Sequence, residues 1–84
     1  MRTHDDPEII AVGNRIRDAA IARGYTSSRS SSGVKISILA KMIGASSEMT
    51  SRYVEGEASI PLEKIRLLAK GLRVSLLWLS HGQG

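Results

Sequence analysis

The chain has 84 residues, no cysteine and a net charge of +4, so it suits one small domain, residues 1–84, that folds without disulfides or thiolate zinc sites. Its longest apolar runs, residues 76 to 79 among them, are too short to span a membrane, and the opening MRTHDDPE lacks the apolar stretch of a secretory signal. We therefore expect a cytoplasmic protein with no membrane association.

The positive charge is unevenly distributed along the chain. Residues 13 to 52 carry seven of the twelve basic residues but only two of the eight acidic residues, whereas residues 1 to 12 are net acidic. A basic segment of this kind is typical of a phosphate-binding surface. An ordinary solvated surface would explain the charge alone equally well.

A first helix is predicted from Pro7 to about residue 23. Asp5 or Asp6 can serve as the N-cap, and proline suits the first helical position. Apolar residues at a helical period predict the buried face: Ile9, Val12, Ile16 and Ala19 or Ala20. Arg15 is not part of this face and should point outward.

Residues 24 to 35, GYTSSRSSSGVK, form the least regular segment. Five serines and two glycines in twelve positions leave little to bury, which predicts a flexible loop. Such a length invites a functional explanation, and Arg29 and Lys35 among hydroxyl groups could contact phosphates. The alternative is a surface insertion that the fold tolerates.

The segment from Ile36 to Gly56 predicts two short helices that meet at a tight corner, residues 36 to 43 and 47 to 55. Ala40 is small where the two helices approach, and Gly44 can take the positive φ that ends the first. Ser46 can cap the second helix. This is the layout of a helix-turn-helix, whose second helix enters the DNA major groove.

Two further helices are predicted after this motif. The fourth begins at Pro61, and Gly71 lies inside it at a cost of about 1 kcal/mol relative to alanine. The fifth covers residues 76 to 80, with Ser75 as its cap and Gly82 as its end. The fourth helix carries an apolar stripe of Leu62, Ile65, Leu68, Ala69 and Leu72. No strand alternation is found, so the fold class is all-α.

The sequence resembles the Cro/C1-type, lambda-repressor-like (XRE family) DNA-binding domains of phage and bacterial regulators. The resemblance covers residues 9 to 82 apart from the long loop. It rests on GNRIRDAAIARG, LAKMIGASSEMTSRYVEG, the IP before the fourth helix, LLAKGLRVS and the closing WLSHG. It implies a compact five-helix fold with a helix-turn-helix at helices 2 and 3. It also implies sequence-specific binding of double-stranded operator DNA by a transcriptional repressor or regulator of the phage or prophage type.

The chain departs from the family pattern at two positions. Ile36 stands where the family usually has a long polar residue that touches backbone and bases, so Lys35, Ser37 or the loop would supply that contact. Thr50 stands where the family usually has Ile or Val. Its methyl group can still be buried, and its hydroxyl can bond back to the helix backbone. Tyr53 should lie in the core, and the alternative is that its hydroxyl contacts a phosphate.

The resemblance implies four base-contacting residues on the recognition helix: Ser47, Glu48, Ser51 and Arg52. Arg52 can bond to O6 and N7 of guanine, and Glu48 can accept from the amine of cytosine. Glu48 could instead only compensate the helix dipole. Arg52 could instead contact a phosphate or pair with Glu55.

The backbone contacts are expected from basic and hydroxyl side chains around the motif: Arg29, Lys35, Ser37, Lys41 and Ser59. His4 and His81 lie near the termini and should be exposed. No nucleophile–base constellation, Gly-rich phosphate loop or metal-binding cluster is apparent in the sequence. We therefore expect no enzyme activity, no cofactor and no metal.

The apolar fifth helix predicts a homodimer on DNA, with Leu76 or Leu77 at the interface and Trp78 mainly in the core. The alternative is that residues 76 to 79 only seal the domain. Residues 80–84 could begin a linker to a C-terminal oligomerisation domain, or the chain could be a complete Cro-like protein. The alternative function is a protein-interaction module, such as an antitoxin or a repressor domain bound by an antirepressor.

Overall fold

The computed structural model describes residues 6–83, and the secondary structure of this part of the chain is five helices. In chain order they are α1 (Pro7–Ala22), α2 (Ile36–Ile43), α3 (Ser47–Val54), α4 (Leu62–Leu72) and α5 (Leu76–His81). The only β pairing among these residues is an isolated antiparallel bridge between Thr26 and Val34. The all-α prediction is therefore confirmed. Asp5, His4 and residue 84 lie outside the described residues.

The five helices pack around a shared apolar core. Helix α1 contacts α3, α4 and α5, while α2 contacts α3 and α4, and α4 contacts α5. The Cα radius of gyration is 11.4 Å, close to the value of about 12 Å for a compact domain of this length. The largest fully buried side chains are Ile16, Leu39, Leu68, Leu72, Leu79, Val34, Val54 and Thr50.

Helix α1 begins as predicted. The Asp6 carboxylate accepts a hydrogen bond from the Glu8 backbone N–H at 2.9 Å, and Pro7 is the first helical residue. The outward orientation expected for Arg15 is wrong. Its guanidinium is half-buried and donates from Nε to the Leu79 carbonyl at 3.0 Å and from Nη2 to the Ser80 carbonyl at 3.1 Å. These two bonds tie α1 to the C-terminal turn of α5, where a cation is favourable.

The segment between α1 and α2 folds back on itself. The Lys35 N–H donates to the Tyr25 carbonyl at 2.9 Å, and the Ser27 N–H donates to the Gly33 carbonyl at 3.0 Å. Val34 is fully buried in the core. The expectation that this segment has little to bury is therefore wrong at Val34, because the paired backbone lets a non-helical stretch enter the core. Its flexibility stays a prediction.

Helix α4 differs from the prediction at its start. Pro61 is the N-cap, with ψ at 149°, and the helix begins at Leu62. Leu62 is 55% exposed rather than buried, because the first residue of α4 lies outside the part of the stripe that packs on the core. Lys64 is half-buried and donates from Nζ to the carbonyl of Ile43 at 3.1 Å. That bond links α4 to the last carbonyl of α2, which has no partner within its own helix.

Helix α5 has the predicted signals at both ends. Ser75 Oγ accepts from the Trp78 N–H at 3.2 Å, and Gly82 ends the helix with φ at 74°. Leu79 is the fully buried residue of this helix, whereas Trp78 is half-buried against the core. Leu77 is 58% exposed. Leu77 is thus the most exposed apolar side chain of α5.

Arg73 is expected to limit the stability of the domain. It ends α4 with φ at 59° and is the one non-glycine residue with positive φ within residues 6–83. A left-handed conformation costs a residue with a Cβ about 1–2 kcal/mol. We predict that Arg73→Gly raises the free energy of unfolding by about 1 kcal/mol in urea denaturation. Arg73→Ala removes the same charge but keeps the Cβ, so an equal gain from alanine would refute this explanation.

Candidate nucleic-acid interface

The corner between α2 and α3 is fixed by backbone geometry. Gly44 has φ 65° and ψ 34°, the left-handed conformation predicted for it. The Ala45 N–H donates to the Ala40 carbonyl at 3.1 Å, which satisfies a carbonyl at the end of α2. Ser46 Oγ then accepts from the Met49 N–H at 3.1 Å. Both predicted end signals are confirmed, and together they set the direction in which α3 leaves the corner.

The inner face of α3 is anchored in the core. Thr50, Tyr53 and Val54 are buried, with Thr50 only 1% exposed. The Thr50 hydroxyl donates to the Ser46 carbonyl at 2.8 Å, so this polar group is satisfied inside the core. The predicted burial of Thr50 and Tyr53 is confirmed. A helix held along this side cannot rotate without exposing these residues, so its outer face is fixed as well.

The outer face of α3 carries the four residues predicted to read bases. Ser47, Glu48 and Arg52 are exposed, and Ser51 is half-buried. Their spacing places them on one side of the helix. This face offers hydroxyl groups, a carboxylate and a guanidinium, which together can donate to and accept from base edges. Their contact with DNA stays a prediction.

The residues predicted to contact phosphates are all accessible. Lys35 is the N-cap residue of α2, and Ser37 and Lys41 are one helical turn apart on the same side of that helix. Arg29 lies in the segment before α2, and Ser59 lies between α3 and α4; both are exposed. The structure thus places a hydroxyl and two ammonium groups on or next to α2.

Glu55 is a site residue whose contacts the sequence did not indicate. Its Oε2 accepts a hydrogen bond from the Ser31 hydroxyl at 2.5 Å and another from the Ser51 hydroxyl at 3.4 Å. The carboxylate considered above as a partner for Arg52 is therefore engaged by two serines. The first of these bonds spans 24 positions of sequence, so no local pattern could have identified it.

No group of three or more His, Cys, Asp or Glu side chains among residues 6–83 could hold a metal ion. None of the helices in that range is long and apolar enough to cross a membrane. His81 is exposed, as predicted.

Comparisons of the chain with protein-family models, with curated proteins and with solved structures find no match.

Proposed function

We propose that this protein is a sequence-specific, double-stranded DNA-binding regulator of transcription, most simply a repressor. In this proposal α2 and α3 form a lambda-repressor-like helix-turn-helix, with α3 in the major groove. The observation that carries it is the two-sided character of α3. One side is buried through Thr50, Tyr53 and Val54, and the other presents polar side chains to solvent.

The proposed contacts divide into those that read the sequence and those that hold the protein on the duplex. Arg52 reads guanine through two hydrogen bonds, and Glu48 accepts from cytosine. The hydroxyls of Ser47 and Ser51 can bond to more than one kind of base, so they discriminate weakly between base pairs. The phosphate backbone of the duplex is contacted by basic and hydroxyl side chains: Arg29, Lys35, Ser37, Lys41 and Ser59.

Such a protein needs no chemistry to act. Binding at an operator covers the promoter and excludes competing proteins, so affinity and specificity alone determine the effect. The proposed place of action is the bacterial cytoplasm or nucleoid, where operator DNA is accessible. An antirepressor or a C-terminal oligomerisation domain, the further partners in this proposal, would act by changing the affinity for DNA.

The protein is proposed to bind DNA as a two-fold homodimer through α5. Two recognition helices about 34 Å apart would read half-sites on one face of the duplex. Leu77, which is 58% exposed, and the half-buried Leu76 would supply the apolar contact. We predict that Leu77→Glu weakens dimerisation at least tenfold, as measured by sedimentation, because a charge would be buried without a partner.

Leu62→Glu is the matched control for this prediction. Leu62 is 55% exposed, nearly as much as Leu77, but it lies at the start of α4. The control should leave the dimer intact. A Leu77→Glu protein with unchanged dimerisation would exclude this face of α5 as the interface.

Selection of bound duplexes from a random pool tests the proposed function. We expect an enriched, two-fold symmetric motif with half-sites about 10 base pairs apart. The affinity for that motif should fall steeply with salt, with a slope of about −0.9 for each phosphate neutralised. A pool that shows no enrichment would refute the proposal and favour a protein-interaction module.

A further inference from the structure

A hairpin-like arm, residues 26–34, lies between α1 and α2 and has an ordered framework of its own. Its base is the bridge between Thr26 and Val34, and Val34 is anchored in the core. At its tip the hydroxyls of Ser30 and Ser32 are 2.8 Å apart, and Ser32 is buried. The Arg29 N–H donates to Ser27 Oγ at 3.2 Å. Arg29 thus lies in a turn with hydrogen bonds on both sides, to Ser27 before it and between Ser30 and Ser32 after it.

A hydrogen bond joins the arm to Glu55, the C-cap residue of α3. Ser31 Oγ donates to Glu55 Oε2 at 2.5 Å, and the same oxygen accepts from Ser51 Oγ at 3.4 Å. Ser51 belongs to the outer face of α3, so the shared carboxylate oxygen brings Ser31 of the arm close to that face. Arg29, two residues before Ser31, is exposed.

Glu55 is poorly suited to its position unless these hydroxyls are present. It is the C-cap residue of α3, where the negative end of the helix dipole disfavours a carboxylate. A carboxylate beside a DNA-binding face would also repel phosphates. The hydroxyls of Ser31 and Ser51 donate to this carboxylate and partly offset both effects. We infer from this that Glu55 stabilises the position of the arm rather than the end of α3.

We propose that Glu55 is a positioning residue for DNA binding, whose carboxylate holds the arm against α3 so that Arg29 reaches a phosphate of the bound duplex. This inference rests on the proposed function and adds to it a residue that positions a phosphate contact. Glu55 itself touches no nucleic acid. It determines whether Arg29 contributes a fixed contact or a free charge, and the difference is measurable as the salt dependence of binding.

Glu55→Gln and Glu55→Ala make a charge-matched pair that isolates this role. Both remove the negative charge, but glutamine keeps an oxygen that can accept from Ser31 and Ser51, whereas alanine keeps none. Each change is combined with Arg29→Ala, and binding to a random-sequence duplex of about 20 base pairs, two helical turns, is measured against salt. Sequence reading does not enter, so only backbone contacts are compared.

In the unaltered protein and in the Glu55→Gln background, Arg29→Ala should reduce the magnitude of the salt slope by about 0.9, the value for one phosphate. In the Glu55→Ala background the same change should leave the slope nearly constant. Ser31→Ala should have the same effect as Glu55→Ala. Ser28 is an exposed serine of the same arm, and in the Ser28→Ala background the slope change from Arg29→Ala should equal that in the unaltered protein. Equal slope changes from Arg29→Ala in all backgrounds would overturn the inference.

A measurement without DNA separates this inference from the proposed function. Trypsin cleavage after Arg29 should be at least threefold faster in Glu55→Ala than in Glu55→Gln, because the arm is released from α3. Equal cleavage rates would overturn the inference even if the protein binds DNA. Faster cleavage together with salt-independent or undetectable duplex binding by the unaltered protein would overturn the proposed function, and the role of Glu55 in DNA binding with it.

Discussion

Replacing Gly13 with alanine is expected to destabilise the domain by about 1–3 kcal/mol, the usual range for overpacking a well-filled core. Gly13 lies on α1 where it crosses the end of α3. A Cβ at this position would lie 2.6 Å from the Val54 carbonyl oxygen and 2.9 Å from that of Tyr53. These are backbone atoms, which cannot rotate away, so α1 and α3 would have to separate.

Gly71→Ala is the matched control for this prediction. It is also a helical glycine with a close neighbour, since an added Cβ would lie 2.6 Å from Met42 Sδ. A methionine side chain adapts easily, and alanine gains about 1 kcal/mol of helix propensity over glycine. Gly71→Ala should therefore be close to neutral. Urea denaturation of both variants provides the measurement, and a Gly13→Ala protein as stable as the unaltered one would contradict the close packing of α1 on α3.

Arg52→Ala is expected to have the largest effect on specificity. If Arg52 bonds to both O6 and N7 of a guanine, its removal should lose about 1–3 kcal/mol of discrimination at one base pair of each half-site. Selection from a random duplex pool would then show that one position become degenerate while the others stay fixed. An unchanged motif would mean that Arg52 does not read bases.

Lys41→Ala is the comparison that distinguishes base recognition from phosphate contact. Lys41 is exposed on α2 and carries the same unit charge as Arg52. Its loss should weaken binding to all sequences alike and reduce the salt slope by about 1, while the selected motif stays the same. Loss of specificity from Lys41→Ala would reverse the assignment of the two residues.

The sequence predicted those parts of the fold that depend on neighbouring residues. Ser46 and Ser75 were predicted as N-caps, and the first N-cap was narrowed to Asp5 or Asp6, because such a side chain accepts from an N–H two or three residues ahead. The structure shows this bond at Asp6, Ser46 and Ser75. Gly44 was identified because a left-handed helix end favours glycine. For the same reason the bounds of α2 were predicted without error, and α3 differed by one residue at its end.

Contacts between distant residues could not be predicted in this way. Arg15 binds carbonyls 64 and 65 positions away, and Lys64 binds one 21 positions away. A helical period only indicates which side of a helix is polar, and a long basic side chain on the border can lie along the surface to reach a carbonyl. The predicted reading face of α3 rests instead on the family resemblance, which implies its four positions, and helical spacing only places them on one side of the helix.

The most direct test of the central claim is a map of backbone amide chemical shifts as the selected duplex is added. If α3 lies in the major groove, the largest changes should fall on residues 46 to 52, with smaller ones on residues 35 to 41. The buried stripe of α4 should change little. Changes confined to α5 or to residues 62 to 72, with residues 46 to 52 unaffected, would contradict the account.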